Sequence, residues 1–182
     1  MERPDFVHLH LHSEYSLSDG IIRISELVSR ASSLKYSAVG LTDLTNLFGL
    51  LEFYRSSREN GIKPIVGAEV NVVKDKDSLP APIVLLVKDK QGYINLTKIV
   101  SNAYVDGQIN GEPTVELPAL KNLGDGLIAL SGGMEGHIGQ SILAGNIPLT
   151  ESRIKFFQDI FGEDFFIEIH RLGKANEEEY NN

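Results

Sequence analysis

The sequence predicts an α/β fold built on a mainly parallel sheet, and three observations carry that expectation. Runs with the two-residue period of a strand alternate along the chain with runs of helical period. The strand-like runs are short, apolar and β-branched. The polar residues capable of chemistry fall at strand ends, where βα folds, open or closed into a barrel, keep their sites.

The elements follow in order. Residues 5–12 alternate, with Val7, Leu9 and Leu11 on one side and His8, His10 and His12 on the other. Ile24, Leu27, Val28, Ala31 and Leu34 have helical spacing. Residues 38–42 form a short apolar strand, and Leu47, Leu50, Leu51 and Tyr54 mark a helix that Gly61 can end in a left-handed cap. Residues 64–73 and 83–87 read as strands, and Leu96, Ile99, Val100 and Ala103 as a helical stripe. Residues 106–114, with Gly107, Gly111 and Pro113, read as a loop. Residues 126–131 are again a strand, and Ile138, Ile142 and Leu143 lie on a short helix closed by Gly145. Thr150 is placed to cap a helix running to Phe161, with Gly162 after it. Residues 165–170 are the last strand. Residues 176–182 look like the opening of a helix with no body after it, so the chain is expected to be a piece of something longer.

Composition narrows the classes. At 182 residues, 42% hydrophobic and 23% charged, the chain suits one domain with a buried core. Seventeen Lys+Arg against 25 Asp+Glu leave a net charge of −8, which argues against a general nucleic-acid clamp. The absence of cysteine excludes disulfides and thiolate metal sites. No apolar run approaches the roughly 20 residues of a membrane helix, and residues 1–5 lack the character of a signal peptide. A cytoplasmic protein with no membrane partner is expected.

His8, His10 and His12 carry the sharpest local signal. Alternate strand residues share a face, so these imidazoles can converge as ligands for Zn²⁺, Mn²⁺ or Fe; the competing reading is a half-polar strand with no metal. Asp19 supplies an oxygen ligand after a turn. Asp43 stands at a strand end and Glu69 on a strand, and either carboxylate can equally be structural. Ser131-Gly132-Gly133 is a short, weak phosphate-turn signal, and neither a P-loop nor a nucleophile elbow is present. His137, in a Gly-rich turn, is expected to be exposed. Phe156, Phe157, Phe161, Phe165 and Phe166 read as core.

The stretch FVHLHLHSEYSLSDG at 6–20 resembles the opening of the PHP domain (polymerase and histidinol phosphatase). More narrowly, it is similar to the amino terminus of the α subunits of bacterial DNA polymerase III. The likeness continues through GLTDLTNLFGL at 40–50, GIKPIVGAE at 61–69, GYINL at 92–96, GLIALSGG at 126–133 and Tyr180. The resemblance implies a PHP domain over residues 1–182, folded as a distorted, TIM-like, seven-stranded βα barrel incomplete at its C-terminal end. It implies the front of a DNA-directed DNA polymerase whose palm, catalytic carboxylates and Mg²⁺ lie beyond this chain, which itself would hold no catalytic residue. The implied partners are other DNA polymerase III subunits, especially the proofreading exonuclease, with DNA bound by the rest of the parent chain.

Intact sites of this family bind up to three metals and hydrolyse phosphoesters. His10 and His12 match the first ligand pair, Asp19 the acid that follows, Glu69 the acid on the third strand and Asp43 the Asp of an Asp-His pair. Leu44, Pro82, Gly133 and Leu172 stand where other ligands are expected. Leucine, proline and glycine side chains coordinate nothing, so the resemblance implies a vestigial site that holds at most one Zn²⁺ or Mn²⁺, weakly. The domain would then be a structural and exonuclease-docking module. The alternatives are a residual metal-dependent phosphoesterase or pyrophosphatase, and a stand-alone phosphatase of small phosphorylated metabolites. Leu44, Pro82 and Leu172 speak against both.

Overall fold

The computed structural model describes residues 6–17, 19–74 and 79–181. Asp5, the expected start of the first strand, lies outside them, as do Ser18 and Asn182. The chain is α/β, as expected. Seven strands, β1 (Ala38–Leu41), β2 (Lys63–Val73), β3 (Ala81–Val87), β4 (Gln108–Ile109), β5 (Glu112–Glu116), β6 (Leu127–Leu130) and β7 (Phe165–Phe166), run in the order β4-β5-β2-β3-β6-β7, with β1 on β2. The residues fall into two compact units, Met1–Glu69 and Val70–Asn182.

In the first unit, residues 6–12 run beside β1 (Ala38–Leu41) without forming a ladder strand of their own. Gly40 N–H donates to His8 O at 2.7 Å and Thr42 N–H to Leu11 O at 2.9 Å. The N–H of Leu11 is taken by the Thr42 hydroxyl at 2.8 Å, so a side chain interrupts the backbone pattern. A Cβ at Gly40 would lie 2.7 Å from Leu9 O, which is why the chains approach so closely there. β1 pairs in parallel with β2 (Lys63–Val73), from Ala38 opposite Lys63 to Leu41 opposite Val66. Helix α1 (Ile24–Ser33) buries Ile24, Val28 and Ala31, the stripe read from spacing. Helix α2 (Leu50–Glu59) starts after Leu47 and buries Phe53. These residues pack with Val39, Leu41 and Ile62 into one core. Gly61 follows α2 at φ +70°, as its cap role requires.

In the second unit the sheet is mixed, not mainly parallel. Residues Asn71–Val73 of β2 pair in parallel with Thr114–Glu116, but β3 (Ala81–Val87) runs antiparallel to β6 (Leu127–Leu130). Residues 74–80 are too few for the helical crossover, a dozen or more residues, that a parallel return from β2 would need. Helix α3 (Lys90–Val105) is capped by Asp89, whose carboxylate accepts Gly92 N–H at 2.9 Å.

Residues 106–114 are not a plain loop. β4 (Gln108–Ile109) and β5 (Glu112–Glu116) form a hairpin turned by Asn110 and Gly111, at φ +52° and +85°. An unexpected helix α4 (Leu117–Leu123) follows, with Pro118 in its first turn, where a missing N–H costs nothing. Helix α5 (His137–Leu143) is closed by Gly145 at φ +63°. Helix α6 (Ile147–Phe161) is capped by Asn146, not Thr150: Asn146 Oδ1 accepts Leu149 N–H at 3.2 Å, while the Thr150 hydroxyl donates to Asn146 O inside the helix.

β7 (Phe165–Phe166) stops short of the expected His170 because Ser131 Oγ accepts Glu168 N–H at 3.0 Å, ending the ladder. Phe157 and Phe161 are buried as expected, but Phe166 is half exposed, as are Ile167 and Ile169. Helix α7 (Glu177–Asn181) holds the segment after β7. Tyr180 OH donates to Glu168 O at 2.6 Å, Asn181 Nδ2 to His170 O at 2.8 Å, and Glu177 accepts the N–H groups of Leu172 and Gly173. Among the described residues no helix is long and apolar enough to cross a membrane.

Candidate metal centre

The extended run beside β1 carries His10 and His12 to the carboxylate of Glu69 on β2. His10 Nε2 lies 2.7 Å from Glu69 Oε2 and His12 Nε2 lies 3.6 Å from the same oxygen. The two rings meet edge to face with centroids 5.3 Å apart. One donor atom from each of the three residues lies within 4.8 Å of the others, a group able to hold a metal ion. Donors about 2.0–2.1 Å from a tetrahedral zinc would stand about 3.3 Å from one another. The observed separations bracket that value.

Asp19 completes the arrangement from behind. Its carboxylate is hydrogen-bonded to His12 Nδ1. A carboxylate can only accept, so Nδ1 carries a proton and Nε2 is the nitrogen left to ligate a metal. That nitrogen is buried and has no hydrogen-bond partner. A carboxylate fixing one imidazole nitrogen while the other faces an acid is the arrangement of a metal-ligating histidine. In His10 the proton on Nε2, bonded to Glu69, occupies the place a cation would take.

Electrostatics agree. Burial alone would raise the Glu69 pKa, but the hydrogen bond of His10 and the charges of His10 and His12 outweigh it and hold the carboxyl at about 2. Burial likewise pulls His12 down, but Glu69 and Asp19 together raise it above its ordinary value. The pocket therefore favours positive charge at the meeting point of the three side chains.

The other residues singled out from the sequence are placed as follows. Asp43 is buried, and its carboxylate accepts from the Ser13 N–H at 2.6 Å, the Ser13 hydroxyl at 2.8 Å and the Ser16 hydroxyl at 2.7 Å. Leu44 forms a parallel backbone bridge with Glu69. His8 turns elsewhere, its ring edge-on to Phe6 and Tyr36. His137 is buried rather than exposed, with Nε2 donating to Val72 O at 3.0 Å; burial lowers its pKa. Ser131 serves the backbone of Glu168.

In the second unit His170 pairs with Glu168 at 3.0 Å. A Cβ on Gly133 would lie 2.8 Å from His170 Nδ1, while Leu172 is mostly exposed. Sequence reading missed Glu168, although the alternation of 166, 168 and 170 along an extended segment was a usable signal. It also missed Thr45, a β-branched residue at φ +47° whose N–H donates to Glu69 O at 2.7 Å.

The chain matches the PHP domain over residues 8–172. It is 38% identical over 182 residues to the DNA polymerase III subunit alpha of Vibrio cholerae and 41% identical over 182 residues to that of Escherichia coli. Each match covers 99% of this chain and 16% of the relative, so the chain spans about a sixth of the length of these curated relatives. A solved amidohydrolase from Chromobacterium violaceum, described with bound sulfate and no metal, is similar over 82% of this chain and 47% of its own, with 22% identity and a TM-score of 0.45. Because the domain match takes in nearly the whole chain and every residue of the His10/His12/Glu69 group, the chain belongs to the PHP domain family.

Proposed function

We propose that this chain is the PHP domain at the front of the catalytic α subunit of a bacterial replicative DNA polymerase, acting in DNA replication in the cytoplasm. The identity of 41% over 99% of the chain to such a subunit carries this reading. The whole chain is then one domain of the family's distorted barrel. Polymerisation and its Mg²⁺ belong to the remainder of the parent, and this chain alone does not extend primers. Its role is to support the polymerase and to dock other subunits, the proofreading exonuclease above all.

Within that role the metal site is a depleted one, with His10, His12 and Glu69 as ligands to a single Zn²⁺ or Mn²⁺ and Asp19 as the group that orients His12. A metal bound there would supply Lewis acidity toward a phosphate oxygen or a bound water. Leu44 opposite Glu69 is the observation that favours depletion: the backbone bridge partner of Glu69 carries a side chain that coordinates nothing. The orphaned His12 Nε2 favours the second reading, a residual metal-dependent phosphoesterase or pyrophosphatase.

Metal titration followed by a phosphate-release assay separates the two. On the depleted-site reading, phosphate release from p-nitrophenyl phosphate or pyrophosphate with added Mn²⁺ or Zn²⁺ stays near background, and Leu44→His with Pro82→His tightens metal binding. Turnover of about 1 per second or more that disappears in His10→Ala would establish the residual enzyme instead.

A further inference from the structure

We propose that Asp43 is a positioning residue that sets His12 from a distance by clamping the loop that carries Asp19; the inference rests on the metal-centre reading above. Asp43 is 2% exposed, and three donors from two residues, the Ser13 N–H, the Ser13 hydroxyl and the Ser16 hydroxyl, converge on its carboxylate. The serines are tied in turn: Ser13 Oγ accepts Tyr15 N–H at 3.2 Å and Ser16 Oγ accepts Leu44 N–H at 3.0 Å. A buried carboxylate with this many donors has one well-defined place for the turn that supplies them.

That turn is the base of a closed loop. Ser13 bridges to Ile22, and Glu14 N–H donates to Ile22 O at 2.9 Å. Gly20 lies so close to Ser13 that a Cβ on it would fall 1.7 Å from Ser13 O. Asp19 is the neighbour of Gly20, and His12 the neighbour of Ser13. Fixing Ser13 therefore fixes both partners of the Asp19–His12 hydrogen bond. Asp43 holds Ser13 through both its N–H and its hydroxyl, so the route from Asp43 to His12 runs through the loop and not through a metal.

The test uses the 182-residue chain, with Co²⁺ as probe by its visible absorption and calorimetry, and long-range ¹⁵N–¹H spectra of the metal-free chain to read which nitrogen of His12 carries the proton. Asp43→Ala and Asp19→Ala are each expected to weaken Co²⁺ binding about 10- to 100-fold, the usual effect of losing an outer partner of a ligand. The double variant is expected to be no weaker than either single one, because both act on the same hydrogen bond. Both single variants should also release His12 from its Nδ1–H form. Losses that add in the double variant would overturn the proposal, since Asp43 would then act on the metal independently. A lower melting temperature in Asp43→Ala with unchanged Co²⁺ affinity and unchanged His12 resonances would overturn it too, leaving a purely structural residue. Should Asp43→Ala not fold, Ser16→Ala removes one donor with the carboxylate in place, and a smaller loss in the same two readouts is expected. If the native chain takes up no Co²⁺, the metal-centre reading fails, while the His12 proton position still decides for or against Asp43.

Discussion

Thr45 stands at φ +47°, in the left-handed region, yet it is β-branched and 1% exposed, and its hydroxyl has no hydrogen-bond partner. The backbone conformation costs roughly 1–2 kcal/mol for such a residue, and the buried unpaired hydroxyl roughly 1–3 kcal/mol. Glycine removes both costs and returns roughly 0.5–1 kcal/mol through the freer unfolded chain. Thr45→Gly is therefore expected to stabilise the chain by about 1 kcal/mol in urea denaturation, and a lower midpoint would contradict this account. The pH response follows from Glu69 and His12. Glu69, held at about 2 against an ordinary 4.5, adds stability that is complete above pH 4.5 and lost as the pH falls toward 2. His12, raised above 6.5, adds stability that is complete below pH 6.5 and lost as the pH rises through its folded value. The contribution of these two groups should accordingly be greatest between about pH 4.5 and 6.5, and His12→Ala should remove its alkaline decline. The pair His10/His12 and its acid were legible because strand alternation fixes which side chains share a face. The surroundings of Asp43 were not: a strand-end aspartate reads the same whether it faces a metal or two serine hydroxyls. His137 misled because a Gly-rich surround implies exposure, whereas its ring is buried against Val72 O.

At the scale of elements, sequence patterning located α1, β1, β2, β3 and β6 well, the helix by its buried stripe and the strands by their apolar runs. It failed where one side chain decides an end. Asn146 rather than Thr150 starts α6, Ser131 ends β7, and the hydroxyl of Thr42 keeps residues 6–12 out of the ladder. The Asn110-Gly111 pair was a readable hairpin signal obscured by the general loop composition around it. The junction of α3 with the residues before β6 offers the sharpest element-level test. Asp89 caps α3, Asn95 Nδ2 donates to Asp125 O at 2.9 Å, and a Cβ on Gly92 would lie 1.8 Å from Gly126 O. Backbone cannot move aside as a flexible side chain can. Gly92→Ala is expected to cost roughly 1–3 kcal/mol, the range for overpacking, although alanine is the better helix former; thermal denaturation showing no loss would mean that the junction is looser than its geometry implies.

For the molecule as a whole, a ligand that binds only the folded state raises stability by mass action. Zn²⁺ at a hundredfold excess over its dissociation constant should contribute about 2.7 kcal/mol. For a chain of 182 residues that corresponds to a rise of about 5–10 °C in melting temperature. The rise should vanish in His12→Ala and grow in Leu44→His at equal metal concentration; a rise that survives loss of His12 would place the metal elsewhere. The mixed sheet was the feature least visible at this scale. Alternating strand and helix patterns suggested uniform parallel crossovers, yet the seven residues between β2 and β3 were already too few for one.

The short β7 has a further consequence for how the chain behaves at high concentration. Among the described residues it ends the strand order, and the half-exposed Phe166, Ile167 and Ile169 lie on it or just beyond it. Such a row is a template for self-association, edge to edge, between copies. Glu168 interrupts the run, and Glu163 and Asp164 precede it, so like charges on two approaching edges repel. The net charge of −8 works in the same direction. The colloidal stability of the chain should thus depend on ionic strength: salt that screens those carboxylates would leave attraction between apolar edges unopposed and bring on aggregation with no change in the fold itself.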